Sequence, residues 1–348
     1  MTTPQQPQAP GHPQPPTAPA GPPPTPPQHQ HPAPPHGAAP QVQAPAPQQQ
    51  HAYAAAAQAP AQQQAYAAAA PAQAQAHGGG AVPGYVSPIP IQRTHLGHAL
   101  ASEWTKIKSV RSTMWTLGVT IALIVGIGLI VASSVSDGAD LDGNSPLMFG
   151  FFGVLLGVIP VMTLGVMAIS SEYGTGMIRT TLTACPSRSR VLTAKAIVFF
   201  LLTFVVTTVC TTLVAMMDDS MLGDLSGAAE TTGEDWFKST VGIGLYVATL
   251  GLLSLAVGSL IRHSAGAITI MIGVVLLPLV LAMFMQGESL EDLRMALLEY
   301  SVPSQLGVMY SNEITDSGPS GWEPLLITAG VAGAALVAAY ALLDKRDV

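Results

Sequence analysis

The chain has 348 residues, of which 49% are hydrophobic and only 9% are charged, and its mean hydropathy is +0.40. Because a soluble domain usually carries about 25% charged residues, this composition excludes a water-soluble globular protein and indicates that lipid covers part of the surface. The charge is also unevenly placed, since all 13 basic and all 20 acidic residues follow Gln92.

Residues 1–92 consist mainly of Pro, Gln, Ala, His and Gly. Such a segment has too little large apolar surface to offset the entropy lost on folding. We therefore predict a disordered cytoplasmic tail, followed by a membrane domain over residues 93–348. Two interpretations of the tail remain open: a Pro-rich ligand for a cytoplasmic partner domain, or a low-complexity extension that the core function does not need.

The segment from about residue 94 to residue 114 predicts an amphipathic helix ahead of the first long apolar run. Its apolar residues recur at steps of three or four and share one helical face: Leu96, Leu100, Trp104, Ile107 and Val110. We expect this helix to lie on the inner membrane surface with Trp104 at the level of the lipid headgroups. The alternative is an ordinary basic flank that only fixes the topology.

Six apolar runs are long enough to cross a hydrocarbon core of roughly 30 Å, which takes about 20 residues. None of them contains Asp, Glu, Lys, Arg or His. The predicted fold class is therefore an all-α polytopic membrane protein with six transmembrane helices. The predicted spans are 115–135, 147–170, 196–217, 240–261, 264–285 and 324–343.

The loop charges predict the orientation of these spans. With the N terminus inside, the inside segments hold 11 of the 13 Lys and Arg residues, and the outside loops hold only Lys238 and Arg294. The outside loops hold 16 of the 20 acidic residues. Because short cytoplasmic loops carry an excess of Lys and Arg, we expect a multi-pass protein of the cell (plasma) membrane with both termini in the cytoplasm.

The inside connection from residue 171 to residue 195 is the longest of the predicted inside loops. Gly174 and Gly176 permit a break after the second span, and Pro186 ends whatever short helix follows. A short polar helix between two breaks, close to the membrane, is suited to docking on a cytoplasmic partner. The alternative is a solvated basic loop that only sets the topology, and composition does not separate the two.

The third span carries threonines at steps of four, namely Thr203, Thr207 and Thr211. They form a stripe on one helical face. Threonine hydroxyls in such a stripe bond their own helix or reach a neighbouring helix. Two roles follow from the pattern: helix packing, or the lining of a translocation path.

The outside loop before the last span is too patterned to be a simple connector. Leu290, Leu293, Leu297 and Leu298 have helical spacing, which predicts an amphipathic helix that ends before Pro303. A second apolar patch runs over residues 306–310. We expect these elements to lie half-buried at the outer surface.

Several motifs are absent from the sequence. It has no Gly-x-x-x-x-Gly-Lys-[Ser/Thr] phosphate loop and no His-Glu-x-x-His. The spans also contain no paired carboxylates of the kind that a proton-coupled carrier usually needs at membrane depth. We therefore expect neither an intramembrane enzyme nor a proton-driven carrier, no cofactor and no metal. Any energy for transport would enter through a partner.

From about His95 onward, the chain resembles the permease subunits of ATP-binding-cassette (ABC) exporters of the second (type-2) export class, which are common in actinobacteria. In the inner loop, Met177 stands where the family usually has Thr after Gly176. Four segments carry the resemblance: the helix from Leu96 to Arg111, the stretch from Glu172 through Gly176, Arg179 and Pro186 to Lys195, the tripeptide Val302-Pro303-Ser304, and the ending Lys345-Arg346-Asp347.

The resemblance implies a role for each of these segments. The helix that contains Leu100, Trp104 and Ile107 would be a connecting helix beside a cytoplasmic ABC ATPase subunit. A coupling helix that docks on this ATPase would lie in the inner loop, which holds Glu172, Gly176, Arg179, Arg188 and Arg190. The outer-loop helices would sit over the translocation path.

The resemblance also implies the partners, and the Pro-rich tail leaves one rival function open. A second permease copy or paralogue, two ATPase subunits and membrane lipid are the expected partners, with no nucleic acid among them. The rival function is a non-transporting membrane scaffold that recruits partners through the Pro-rich tail. Deleting residues 1–92 would abolish the function of a scaffold and would largely spare that of an exporter.

Overall fold

The structure is a computed structural model that describes residues 95–135, 140–184, 187–315 and 317–345. The predicted disorder of residues 1–92 lies outside the described residues. The described residues are mostly helical, and Asp140 and Ser226 form an isolated β-bridge among them.

The described residues form eleven α-helices, six of them long. A 3₁₀ turn, Pro146–Phe149, precedes the second long helix, and a π-helical turn, Lys238–Gly242, leads into the fourth. The long helices are α2 (Arg111–Ser133), α3 (Gly150–Gly174), α5 (Arg188–Leu222), α7 (Ile243–Ile261), α8 (Ser264–Phe284) and α11 (Glu323–Lys345). The short helices are α1 (Leu96–Ser109), α4 (Met177–Ala184), α6 (Gly233–Phe237), α9 (Glu291–Glu299) and α10 (Val302–Ser311).

Six helical segments are long and apolar enough to cross a membrane, which confirms the predicted six-span fold class. At their charged ends, α2, α3, α5 and α11 extend beyond the predicted apolar runs, whereas α8 ends one residue earlier than predicted. α5 begins at Arg188 and ends at Leu222, whereas the predicted span covers only 196–217. The difference arises because a helix continues through charged residues at its ends, whereas an apolar window stops at the first charge.

α7 lies at the centre of the bundle. It packs against α3, α5, α8 and α11, and most of its side chains are buried, whereas only about a fifth of each of the spans α2, α8 and α11 is buried. Glycines allow the closest approaches. A Cβ on Gly165 of α3 would lie 2.6 Å from the carbonyl oxygen of Gly251 on α7, so a larger residue at this position would push the two helices apart.

The two ends of the bundle differ in structure and charge. The α1 end is the end at which α1 and α4 lie, together with both termini of the described chain, His95 and Lys345. The α10 end carries α9 and α10 and the connections between α2 and α3 and between α5 and α6. Nine of the eleven Lys and Arg residues that the structure describes are at the α1 end, and the other two are Lys238 and Arg294.

Two predicted short helices are present with different bounds, and the predicted apolar patch over 306–310 is also helical. The helix predicted over 94–114 is interrupted at Val110, whose backbone is extended, so α1 ends at Ser109 and α2 begins at Arg111. α9 corresponds to the predicted amphipathic outer helix. α10 contains the second apolar patch. Pro303 lies in the first turn of α10, where a backbone N–H would have no hydrogen-bond partner within the helix, so its absence in proline costs nothing.

Candidate functional site

Four charged side chains from three helices meet at the α1 end, and we call them the four-charge cluster. They are Glu103 and Lys106 of α1, Glu172 of α3 and Lys195 of α5. Lys195 Nζ lies 2.6 Å from Glu103 Oε2 and 2.8 Å from Glu172 Oε1. Lys106 Nζ lies 2.8 Å from Glu103 Oε1 and 3.0 Å from Glu172 Oε1. Each ammonium group therefore bridges both carboxylates, and the cluster has no net charge.

The four-charge cluster is buried. The side chains of Lys195, Glu103 and Glu172 are only 5%, 7% and 7% exposed, and that of Lys106 is 27% exposed. Removing one partner from a buried ion pair destabilises a protein by about 3–5 kcal/mol, because the charge that remains has neither water nor a partner. The cluster is thus a strong constraint on the relative position of α1, α3 and α5.

Lys106 stays positively charged in this environment. Burial by itself would lower the pKa of its ammonium group, but the hydrogen bonds and charges of Glu103 and Glu172 outweigh burial and hold that pKa above its ordinary value. A raised folded-state pKa means that the stabilisation is complete at neutral pH and is lost only as the pH rises through the alkaline lysine range.

The local sequence explains how the helices present these groups. Glu103 and Lys106 are three positions apart, so they share one face of α1 and pair with each other. Glu172 lies in the last turns of α3, and the chain then reverses through Gly176, whose φ of +71° favours glycine. Lys195 lies two turns into α5, at the same end of the bundle.

α4 is the short helix that the two glycine breaks predict. Ile178 is buried and anchors it to the bundle, whereas Arg179 and Met177 are exposed. Arg179 therefore lies at the surface of the α1 end. Cys185 and Pro186, the predicted end of this helix, lie outside the described residues.

The other predicted coupling residues lie in different surroundings. Glu172 is inside the four-charge cluster rather than on the surface. Arg188 donates from Nη1 to the carbonyl oxygen of Leu343 on α11, at 3.0 Å, and Arg190 is half-buried. The structure thus separates two exposed residues, Gly176 and Arg179, from three charged residues that are at least half-buried against the bundle.

The predicted connecting-helix residues divide in the same way. Leu100 and Ile107 are half-buried on the side of α1 that faces the bundle, together with the buried Glu103. Trp104 is 43% exposed, and the ammonium group of Lys108 lies 4.8 Å from the centroid of its ring. α1 thus turns Leu100 and Ile107 toward the bundle and uses charge for part of the same contact, whereas Trp104 stays exposed.

The threonine stripe of α5 is buried within the chain. Thr203, Thr207 and Thr211 are at most 2% exposed. The hydroxyls of Thr203 and Thr211 donate to the carbonyls of Phe199 and Thr207, and Thr211 Oγ1 also lies 3.2 Å from the carbonyl oxygen of Thr240 in the turn before α7. These contacts favour helix packing over a path through the single bundle.

A cavity of about 450 Å³ lies beside the four-charge cluster, between α1, α2, α3 and α5. All four residues of the cluster contribute to its wall. Hydroxyl groups line the cavity from two sides. On one side are Ser112, Thr113 and Thr116 of α2. On the other side are Thr163 and Ser171 of α3 and Thr175, which directly follows α3. The size of the cavity is within the range of pockets that hold small molecules.

A family model described as ABC-2 family transporter protein matches residues 38–348. The chain belongs to this family. No curated protein matches the chain. The match includes all six long helices and both candidate segments of the α1 end, α1 and α4. It begins inside the predicted tail, earlier than the resemblance in the sequence suggests.

Membership in the ABC-2 family sets the general role of the chain. It is a multi-pass membrane protein and a permease component of an ABC transporter. Permeases of the ABC-2 family are membrane components and not themselves the ATPase, and they typically pair with an ATP-binding subunit.

Sequence reasoning missed the four-charge cluster of this ABC-2 transporter protein as a unit. It placed Glu172 and Lys195 at the limits of an inside loop, and the apolar pattern of α1 assigned no role to Glu103 and Lys106. One signal was available: Glu172 and Lys195 have opposite charges and lie just beyond the predicted spans 147–170 and 196–217. Pairing Lys195 with Glu103 across 92 positions requires the packed helices.

A second buried acid was also missed, at the α10 end. Asp218 of α5 is fully buried, and its carboxylate lies near the start of α3 and the phenol of Tyr310 on α10. Burial, and then the negative charge of Asp218, raises the pKa of Tyr310 above its ordinary value, so the phenol stays protonated. The predicted span 196–217 ends one residue before this acid.

Proposed function

We propose that this chain is the membrane-spanning permease subunit of an ATP-driven exporter. It forms the translocation path together with a second permease copy or paralogue, and a separate cytoplasmic ATPase subunit docks at its α1 end. The observation that carries the proposal is the buried four-charge cluster, because it fastens the surface helix α1 to two membrane-crossing helices, α3 and α5.

The cluster supports a mechanical role for the α1 end. A docked subunit that displaces α1 must either break the cluster or move α3 and α5 with it. Breaking one partner out of such a cluster costs about 3–5 kcal/mol, so the low-energy response is joint movement. α4 adds a second contact, since it joins α3 to α5 directly and exposes Arg179.

The charge distribution supports a cytoplasmic α1 end. Nine of the eleven described Lys and Arg residues lie there, and cytoplasmic segments carry the excess of basic residues in membrane proteins. In this orientation both termini are cytoplasmic, the chain resides in the cell membrane, and α9 and α10 lie on the outer surface.

Burial of the threonine stripe supports a path between two permeases rather than within one. The polar face of α5 is used inside the bundle, against α7. α2 and α8, by contrast, leave broad apolar surfaces exposed, including Ile130, Leu277 and Phe284. Such surfaces are available to lipid and to a second copy.

Reversing the charge of Arg179 tests the docking role of α4. We expect Arg179→Glu to weaken binding of the ATPase subunit that co-purifies with the wild-type chain by about tenfold, because an attractive charge at the rim of an interface becomes repulsive. The measurement is the dissociation constant of the purified subunit on nanodiscs that contain the permease.

The matched control is Arg294→Glu. Arg294 is also a partly exposed arginine on a short helix, but it lies on α9 at the α10 end, and its guanidinium pairs only weakly with Glu291 at 3.5 Å. Binding should be unchanged in this variant. If Arg179→Glu bound the ATPase subunit with wild-type affinity, or if both variants lost affinity equally, α4 would not be part of the docking surface.

A further inference from the structure

Two exposed pairs of side chains, each with one tryptophan and one basic residue, flank the break between α1 and α2. We call these four residues the junction patch: Trp104 and Lys108 of α1, and Arg111 and Trp115 of α2. Within each pair the residues are four positions apart, so they share one helical face. Trp104 is 43% exposed and Trp115 is 77% exposed, and both basic side chains are also exposed. The junction patch is therefore left free by the packing of the bundle.

The junction patch lies at the level of the lipid headgroups. Trp115 begins the predicted first span, and Arg111 precedes it by four residues, which is a rise of roughly 6 Å along α2. A bilayer of about 40–45 Å with a hydrocarbon core of roughly 30 Å has a headgroup layer of about 5–8 Å on each side. Tryptophan is enriched at the boundary between these layers. With Trp115 at this boundary, Arg111 is in the headgroup layer.

The two basic residues of the junction patch have no acidic partner in the described part of the chain. At the α1 end, the acidic residues whose side chains the structure describes are Glu103 and Glu172, and both are buried in the four-charge cluster. Neither Lys108 nor Arg111 forms an ion pair with another described residue. Because nine basic side chains face only these two acids, the α1 end attracts anions.

An apolar surface continues from the junction patch into the membrane. Val119 follows Trp115 by four positions on α2 and is 46% exposed, so the two side chains form one apolar strip. The charged part of the patch and this strip are adjacent along one helix. A soluble acidic partner would contact only the charged part, whereas a lipid has a headgroup for one part and an acyl chain for the other.

We infer that the junction patch binds an anionic phospholipid, whose headgroup lies against Lys108 and Arg111 while an acyl chain lies along Trp115 and Val119. Phosphatidylglycerol has this chemistry. Phosphatidylcholine has the same chains and phosphate, but its quaternary ammonium makes the headgroup neutral. The inference goes beyond the proposed function, because lipid binding requires neither the ATPase subunit nor transport.

The test uses the full-length chain in nanodiscs with equal amounts of the two phospholipids. After mild extraction, mass spectrometry measures the ratio of phosphatidylglycerol to phosphatidylcholine that remains bound. We expect enrichment of phosphatidylglycerol by about tenfold at low salt. Each basic side chain near an anionic headgroup contributes a factor of about five, and screening by salt reduces the product. A ratio equal to that of the surrounding bilayer would overturn the inference.

A matched pair of double variants locates the site. Lys108→Gln with Arg111→Gln removes two positive charges from the junction patch, at exposed side chains that tolerate the change. Arg179→Gln with Lys345→Gln removes two exposed positive charges elsewhere at the α1 end. We expect the enrichment to be lost in the first double variant and kept in the second. Equal losses would show that the overall charge of the α1 end attracts the lipid, and would overturn the assignment to the junction patch.

A third arm separates a lipid from a soluble partner. Glycerol phosphate carries the phosphate without the acyl chains. We expect it not to displace the bound phosphatidylglycerol at equal concentration, because it makes no contact with Trp115 and Val119. Displacement would overturn the assignment of a membrane lipid. If Lys108→Gln with Arg111→Gln weakened binding of the ATPase subunit and left the lipid ratio unchanged, the junction patch would be a protein-docking surface, which would also overturn the inference.

Discussion

Replacing Lys195 with methionine is expected to lower the free energy of unfolding by about 3–5 kcal/mol. The ammonium group of Lys195 bridges Glu103 and Glu172, and its side chain is almost fully buried. Methionine has a similar length but leaves the cluster with two carboxylates and one ammonium group. The loss of stability is measured as a fall in the melting temperature in detergent, with size-exclusion chromatography used to detect unfolding.

The control for Lys195→Met is Lys108→Met on α1. Lys108 is exposed, and its ammonium group lies over the ring of Trp104. An exposed cation–π contact contributes only about 0.5–1 kcal/mol, so this variant should melt close to the wild type. Similar melting temperatures for the two lysine variants would show that the cluster does not hold α1 in place.

A double variant distinguishes lost charge from lost packing. Glu103→Gln combined with Lys195→Met leaves one carboxylate, Glu172, opposite one ammonium group, Lys106, so the cluster is again neutral. We expect the double variant to be more stable than Lys195→Met alone, because the surplus buried charge is gone. A double variant that is less stable than the single variant would point to packing of the lysine stem instead.

Substituting alanine for Gly153 is expected to separate α2 from α3 and to destabilise the chain by about 1–3 kcal/mol. A Cβ on Gly153 would overlap the carbonyl oxygen of Ile124 on α2, and this backbone atom has no rotamer to move away. Close backbone approach at small residues is a main source of helix association in a membrane. Thermal melting in detergent again provides the measurement.

Gly118→Ala is the matched control for Gly153→Ala. It makes the same change in a membrane-crossing helix, α2, but nothing lies within 4 Å of the added Cβ. Because alanine is the better helix former, this variant should be as stable as the wild type or slightly more stable. If Gly153→Ala melted at the same temperature as Gly118→Ala, the α2–α3 contact would not be as close as described.

The membrane-crossing helices could be predicted from the sequence because lipid exposure demands long uncharged runs. The ends of these helices could not be predicted in the same way. α5 includes Arg188, Lys195 and Asp218, all of which an apolar window excludes. The prediction that the spans carry no ionisable group therefore followed from where the window stopped, whereas the folded helices bury Glu172, Lys195 and Asp218 near their ends.

The candidate site was predictable only in part. The glycines at 174 and 176 indicated α4, because glycine permits the positive φ that the reversal at Gly176 requires. The periodicity of Leu100, Trp104 and Ile107 indicated α1. The apolar stripe did not reveal that Glu103 faces the bundle, because a buried acid needs partners on other helices, and sequence spacing carries no information on those partners.

Affinity purification of the intact chain from the membranes that contain it, in a mild detergent, tests whether the permease assembles with an ATPase. Mass spectrometry would identify and quantify the subunits that remain bound, and an ATP hydrolysis assay would test their activity. We expect a stoichiometric ATPase subunit with a phosphate loop. A folded permease recovered without any ATPase, in a detergent that keeps another ABC transporter assembled, would contradict it.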